Sequence, residues 1–124
     1  MATVLVVEDV VLVRMLICEY LRDAGFTVIE ATSGDEAIAI LGSPLAIDVV
    51  FADVYMPNSS IDGIGLGRWI RSNKPDVKVV LTSGVSNTAD TPEELTFDSP
   101  LIEKPYERAA VVQRLREVLH LGDR

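Results

Sequence analysis

Val49-Val50-Phe51-Ala52-Asp53-Val54-Tyr55-Met56-Pro57 is an apolar, partly β-branched run that reaches a single carboxylate, with a proline four positions beyond it. Such a run predicts a strand buried on both faces of a parallel sheet. In an open α/β sheet the loops diverge at the carboxyl ends of the strands and leave a crevice where ligands bind, and Asp53 falls at that edge. Taken alone, the stretch also permits a plainer reading, in which Asp53 starts a turn as aspartate often does.

The flanking chain separates the two readings. Thr3 to Val7 is a second β-rich apolar run, and it too ends on acid, at Glu8-Asp9. Val11 to Ala24 carries a helical period with Val13, Leu16, Ile17, Tyr20 and Leu21 on one stripe, and Gly25 is placed to stop it. Thr27 to Glu30 predicts a short strand. Ser33-Gly34-Asp35-Glu36 then opens a helix with acid at its N-terminus, closed by Gly42 and Pro44. After Asp53 comes a polar loop, and Asp62-Gly63 leads into a helix on which Leu66, Trp69 and Ile70 share a face, so that Trp69 reads as packing. Val77 to Leu81 is a fourth strand that runs into Thr82-Ser83-Gly84. The stretch 85–99 has no clear period and Pro92 suits only a first helical turn, which predicts a short or irregular helix. Leu101-Ile102 is a last strand followed by Lys104-Pro105, and Glu107 to His120 is a closing helix on Val111, Val112, Leu115, Val118 and Leu119.

Strand and helix thus alternate five times, without repeats or a linker-like stretch. The pattern predicts one α/β domain over residues 1–124, a flavodoxin-like doubly wound parallel sheet of order 2-1-3-4-5 with helices on both faces. In that order strands one and three are neighbours. Glu8, Asp9 and Asp53 then meet at the topological switch point, flanked by Thr82 and Lys104 from strands four and five.

Composition narrows the function. The formal net charge of −8 argues against direct binding to nucleic acid or an anionic membrane surface and favours a cation. No apolar run approaches the roughly 20 residues of a membrane span, which places the chain in the cytoplasm. The one cysteine, Cys18, sits among apolar helix residues and reads as a core thiol. His120 reads as a helix-end residue.

Carboxylates gathered in one crevice repel one another unless a cation neutralises them or one takes a proton. An all-oxygen set without His or Cys nearby in sequence suits Mg²⁺, or Mn²⁺, rather than zinc. Asp9 and Asp53 are read as direct ligands, with Glu8 acting through water and the backbone carbonyl of Tyr55 as a further donor. Lys104 and the hydroxyl of Thr82 complete a set able to hold the oxygens of a phosphoryl group attached to Asp53, the carboxylate form of covalent catalysis. Singly, Lys104 is better explained by a solvated surface charge and Thr82 by a strand-end residue; their joint position at strand ends tips the balance towards the site.

These residues together resemble the receiver domain of bacterial two-component response regulators. The resemblance rests on Glu8-Asp9, on Asp53 with Met56-Pro57, on Asp62-Gly63, on Thr82 and on Lys104-Pro105, and it covers essentially the whole chain. It implies that Asp53 is the phosphoacceptor, that Glu8 and Asp9 form the acidic Mg²⁺ site, and that Lys104 and Thr82 sense the phosphoryl group. It also implies a histidine kinase or histidine phosphotransfer protein as phosphodonor, and a downstream protein target. Two features depart from the family's pattern. Leu101 stands where members commonly carry Tyr or Phe, and the loop between Pro57 and Asp62 is longer than the common short form.

Two other readings keep the fold. A pseudo-receiver acting only as a binding module would lack the acceptor or the acidic pair, and both are present. A small Mg²⁺-dependent phosphohydrolase would want a second acid two positions after the nucleophile, where Tyr55 stands, and a cap over the crevice.

Overall fold

A computed structural model describes residues 2–57, 59–83, 101–103 and 108–120. The elements follow the expected alternation: β1 (Thr3–Val7), α1 (Val11–Asp23), β2 (Thr27–Ala31), α2 (Gly34–Leu41), β3 (Val49–Asp53), α3 (Gly63–Asn73), β4 (Lys78–Ser83), β5 (Leu101–Glu103) and α4 (Arg108–His120). The five strands form one parallel sheet of order β2-β1-β3-β4-β5, as expected. The irregular helix expected within 85–99 lies outside the described residues, as does Lys104.

Successive strand residues point to opposite faces, and here both faces are covered, which is why the central strands carry almost no polar residue before their ends. Leu5, Val7, Val50, Ala52, Val79 and Leu81 pack with Ala37 and Leu41 of α2 and Leu66 and Ile70 of α3. Val4, Val6, Val49, Phe51 and Val80 pack on the other side with Ile17, Cys18 and Leu21 of α1 and Val111, Leu115 and Val118 of α4. Trp69 is half-buried against the first cluster, in keeping with a packing role.

The helix ends follow local chemistry. Behind α1, the Gly25 N–H donates to the Arg22 carbonyl and the Phe26 N–H to the Leu21 carbonyl, both at 3.0 Å, and Gly25 takes φ 99°, the left-handed stop of a Schellman motif. Ser33 caps α2 by accepting from the Glu36 N–H at 3.1 Å, while the Glu36 carboxylate accepts from the Thr32 N–H at 2.8 Å. Asp62 caps α3 by accepting from the Gly65 N–H at 2.8 Å.

One expectation about α1 is corrected. Leu16 is not on the inward stripe and is 52% exposed, whereas Cys18 is buried, as expected of a core thiol. The buried stripe is centred on Ile17, Cys18 and Leu21, so Val11, Leu12, Met15 and Leu16 form a second apolar face turned away from the sheet.

Cys18 also senses its surroundings. Burial, then the neighbouring Glu30 carboxylate, push its thiol up from 9.0 to about 11, against the smaller opposing effect of Arg22 and Arg14. The folded protein therefore holds this proton more tightly than the unfolded chain. The resulting stability is complete below pH 9 and drains away as pH rises through about 11. Denaturant titrations should show wild type losing roughly 2–3 kcal/mol more than Cys18→Ala across that window. Parallel pH curves for the two proteins would refute this.

Candidate functional site

Among the described residues, the buried polar or charged side chains are Glu8, Asp53 and Thr82, exposed by only 2%, 8% and 1%. Each stands at the carboxyl end of a different strand. Asp53 is paired in register with Thr82, and Val7 is paired with Ala52, so that Glu8 stands abreast of Asp53. The period of two also gives them one face: Glu8 continues the row of Val4 and Val6, Asp53 that of Val49 and Phe51, and Thr82 that of Val80. All three therefore emerge at one edge of the sheet, on the side covered by α1 and α4.

The backbone around them is tightly held. The Val54 N–H donates to the Thr82 carbonyl at 2.8 Å, and the Gly63 N–H donates to the Val54 carbonyl at 3.0 Å. One Asp53 carboxylate oxygen accepts from the Tyr55 N–H at 3.1 Å, while the Tyr55 side chain is exposed. Glu8 accepts from the Val10 N–H at 3.2 Å, and its backbone carbonyl takes a bond from the Arg14 guanidinium at 3.0 Å. Arg14 is held in turn by Glu30 of β2 at 3.2 Å, and Arg22 reaches the same carboxylate at 3.3 Å. Asp9 follows Glu8 and is half-buried at the start of α1.

Glu8, Asp53 and Thr82 are thus brought together at the sheet edge as the sequence led us to expect, with Asp9 and Tyr55 beside them in the chain. β5 ends at Glu103, opposite Ser83, and Lys104 is the next residue, outside the described set. Among the described residues no three or more His, Cys, Asp or Glu side chains are drawn into a metal cage. The set nevertheless fits Mg²⁺, which is satisfied by one or two carboxylates with carbonyl oxygen and water, and no thiol or imidazole belongs to it.

Two features of the site carried no sequence signal of their role. Arg14 has nothing in its spacing to single it out as a brace for the Glu8 backbone. Gly63 was visible as part of a helix start, but the reason for glycine is steric: a Cβ there would run into the carbonyl oxygen of Asp53. α3 therefore begins in direct contact with the backbone of Asp53.

Known proteins resemble the chain over nearly its full length. The family model of the response regulator receiver domain matches residues 4–116. The chemotaxis protein CheY of Thermotoga maritima is 31% identical over 117 residues, covering 93% of this chain and 95% of CheY. The sensor kinase CckA of Brucella abortus is 37% identical over 98% of this chain, which spans only 13% of that protein. The chain also spans less than half the length of several further curated relatives. Among solved structures, the receiver domain of NtrX from Brucella abortus superposes with a TM-score of 0.85 at 29% identity, covering 94% of this chain and 98% of that one. Receiver domains generally use Mg²⁺ and are served by histidine kinases. A buried carboxylate at the end of the central strand, with an acid and a hydroxyl beside it, is what such a phosphoacceptor needs, and the likeness extends over nearly every residue; the chain belongs to the response regulator receiver domain family of two-component signalling.

Proposed function

We propose that the chain, as a single receiver unit over residues 1–124, takes a phosphoryl group onto Asp53 from a phosphohistidine of a histidine kinase or histidine phosphotransfer protein. The observation that carries this reading is that the buried polar side chains among the described residues, Glu8, Asp53 and Thr82, share one edge and one face of the sheet. Burying a carboxylate is costly unless it is hydrogen-bonded or paired, and buried ionisable groups gathered at a crevice are often functional. In the step, an Asp53 carboxylate oxygen forms a bond to phosphorus as the bond between phosphorus and the donor's imidazole nitrogen breaks, and the imidazole departs with that electron pair. Asp9, Asp53 and the Tyr55 carbonyl would hold Mg²⁺, or Mn²⁺, with Glu8 acting through water; when bound, such an ion would supply charge compensation for the phosphoryl oxygens. Thr82 donates its hydroxyl to one of those oxygens and Lys104 supplies a counter-charge to another. The Tyr55 N–H keeps the Asp53 side chain turned toward the crevice. The group so formed adds charge and acceptor oxygens, and the adjustment of the β4 end that carries Thr82 passes the change on to a downstream protein. The cytoplasm is the compartment in which a kinase would meet it.

The phosphodonor's docking surface is the outward face of α1. Val11, Leu12, Met15 and Leu16 are all more than half exposed and lie one helical turn beyond Glu8 and Asp9. A contiguous apolar patch of this kind is characteristic of a binding surface, and here it borders the acceptor. Leu12, at 72% exposure, can be changed with little effect on folding. Leu12→Glu should slow transfer from a phosphorylated donor protein about tenfold or more, and leave modification by a small phosphodonor unchanged. Equal slowing with both donors would remove α1 from the docking surface.

The direct test of the acceptor reading is intact-protein mass spectrometry after incubation with Mg²⁺ and acetyl phosphate. A gain of one phosphoryl group supports it, and no gain with either Mg²⁺ or Mn²⁺ overturns it.

A further inference from the structure

The long loop between β3 and α3 is fastened at its far side to the beginning of α2. The Ser59 hydroxyl accepts from the Gly34 N–H at 2.9 Å and donates to the Ile61 carbonyl at 2.6 Å. The Ser60 hydroxyl sits against both oxygens of Asp35, at 2.6 and 2.7 Å, and the Ser60 N–H donates to the same carboxylate at 3.3 Å. Ile61 fills the space between the two helices: a Cβ on Gly34 would run into its side chain, and one on Gly65 would lie 2.8 Å from it. At its near side the loop starts from Tyr55, whose N–H is bonded to Asp53, and continues through the buried Met56. The Ser59 N–H returns to the Met56 carbonyl at 3.1 Å. Hydrogen bonds thus tie Tyr55 to the Asp53 carboxylate, Ser59 to Met56, and Ser59 and Ser60 to the first turn of α2.

We propose that Ser59, Ser60 and Asp35 are positioning residues for the phosphoacceptor site: by clamping the β3–α3 loop to α2 they fix where the Tyr55 carbonyl and the Asp53 carboxylate stand. The inference rests on the reading of Asp53 and Tyr55 as metal donors and adds a role for residues outside that set. A loop lengthened by insertion has more conformations to lose when the ion binds. The clamp removes that freedom in advance, so the site is already ordered when the cation arrives. Ser60 and Asp35 are exposed, and their substitution leaves the hydrophobic core intact.

The test uses Ser60→Ala, Asp35→Ala, the double variant, and Ser60→Thr, which restores a hydroxyl. Mg²⁺ titrations followed by amide chemical shifts, amide exchange of Tyr55 and Ile61 without metal, and thermal midpoints are measured on each. Each single alanine variant should weaken Mg²⁺ binding roughly fivefold and speed exchange at Tyr55 and Ile61. The double variant should be no weaker than Asp35→Ala, which already removes both the hydroxyl and the N–H contact with Ser60, and Ser60→Thr should recover most of the affinity. A lowered thermal midpoint with wild-type Mg²⁺ affinity would reduce the clamp to a structural device and overturn the proposal, as would additive losses in the double variant. If wild type itself binds no Mg²⁺ and forms no adduct with acetyl phosphate, the acceptor reading fails and the positioning role fails with it. Wild-type binding together with unaffected variants overturns the positioning role alone.

Discussion

Asp53→Asn is expected to abolish the mass gain that wild type shows with acetyl phosphate and Mg²⁺, while leaving the fold intact. The amide keeps the size of the side chain, and its oxygen still accepts from the Tyr55 N–H, which wild type does at 3.1 Å. It lacks the anionic oxygen that attacks phosphorus, so the loss is one of chemistry and not of packing. The effect should exceed that of any other single change: no adduct within detection, against near-complete modification of wild type. Removing the metal with a chelator should reproduce the loss in wild type, and restoring Mg²⁺ should reverse it. Full modification of Asp53→Asn would move the acceptor to another residue. Thr82→Ala should behave differently, still forming the adduct but more slowly, because Thr82 contributes one hydrogen bond and not the nucleophile.

Gly63→Ala should be disproportionately damaging for the addition of one methyl group. The new Cβ has no room beside the Asp53 carbonyl oxygen, and at 2.7 Å from the Val54 Cα it crowds backbone that cannot rotate away. α3 must then move off β3, which weakens the Gly63 N–H bond to Val54, at 3.0 Å in the wild type. Overpacking of this kind costs about 1–3 kcal/mol, and the rigid neighbours place Gly63 at the upper end. Denaturant unfolding gives the stability loss, and the rate of adduct formation reports how far Asp53 was displaced. We expect both to fall. Gly65→Ala is the control, since the nearest obstacle there is the Ile61 side chain at 2.8 Å, which can shift. Equal losses at the two positions would mean that proximity to Asp53 is irrelevant.

The strands were legible because both faces of the sheet are covered: Val4 to Val7 and Val49 to Ala52 must all be apolar, whichever layer they serve. Their carboxyl ends were legible for the converse reason, since Glu8, Asp53 and Thr82 interrupt apolar runs at points where burial would otherwise be cheap. α1 was read less well. Its sequence is apolar on two sides, and periodicity alone does not say that Leu16 lies off the inward stripe. Only the seat of the helix against β2 decides it. The bracing of Glu8 by Arg14 and the clamp from Ser60 to Asp35 were not legible, because each joins residues far apart in function and unremarkable in local pattern. Long-range polar bonds leave no periodic trace in a sequence.

The separation of the apolar interior into two layers also bears on how this protein tolerates change. Phe51 and Val50 are consecutive in the chain yet belong to different layers, one backed by α1 and α4 and the other by α2 and α3. Asp53 is continuous with the Phe51 layer. An engineer repacking the interior of the α2 and α3 layer, away from Gly63 and the Ser60–Asp35 clamp, would therefore be working on the wall opposite the Asp53 side chain, and an inherited substitution there would change how long the protein lasts before it disturbed that side chain. The same alteration beside Phe51 would act on both at once.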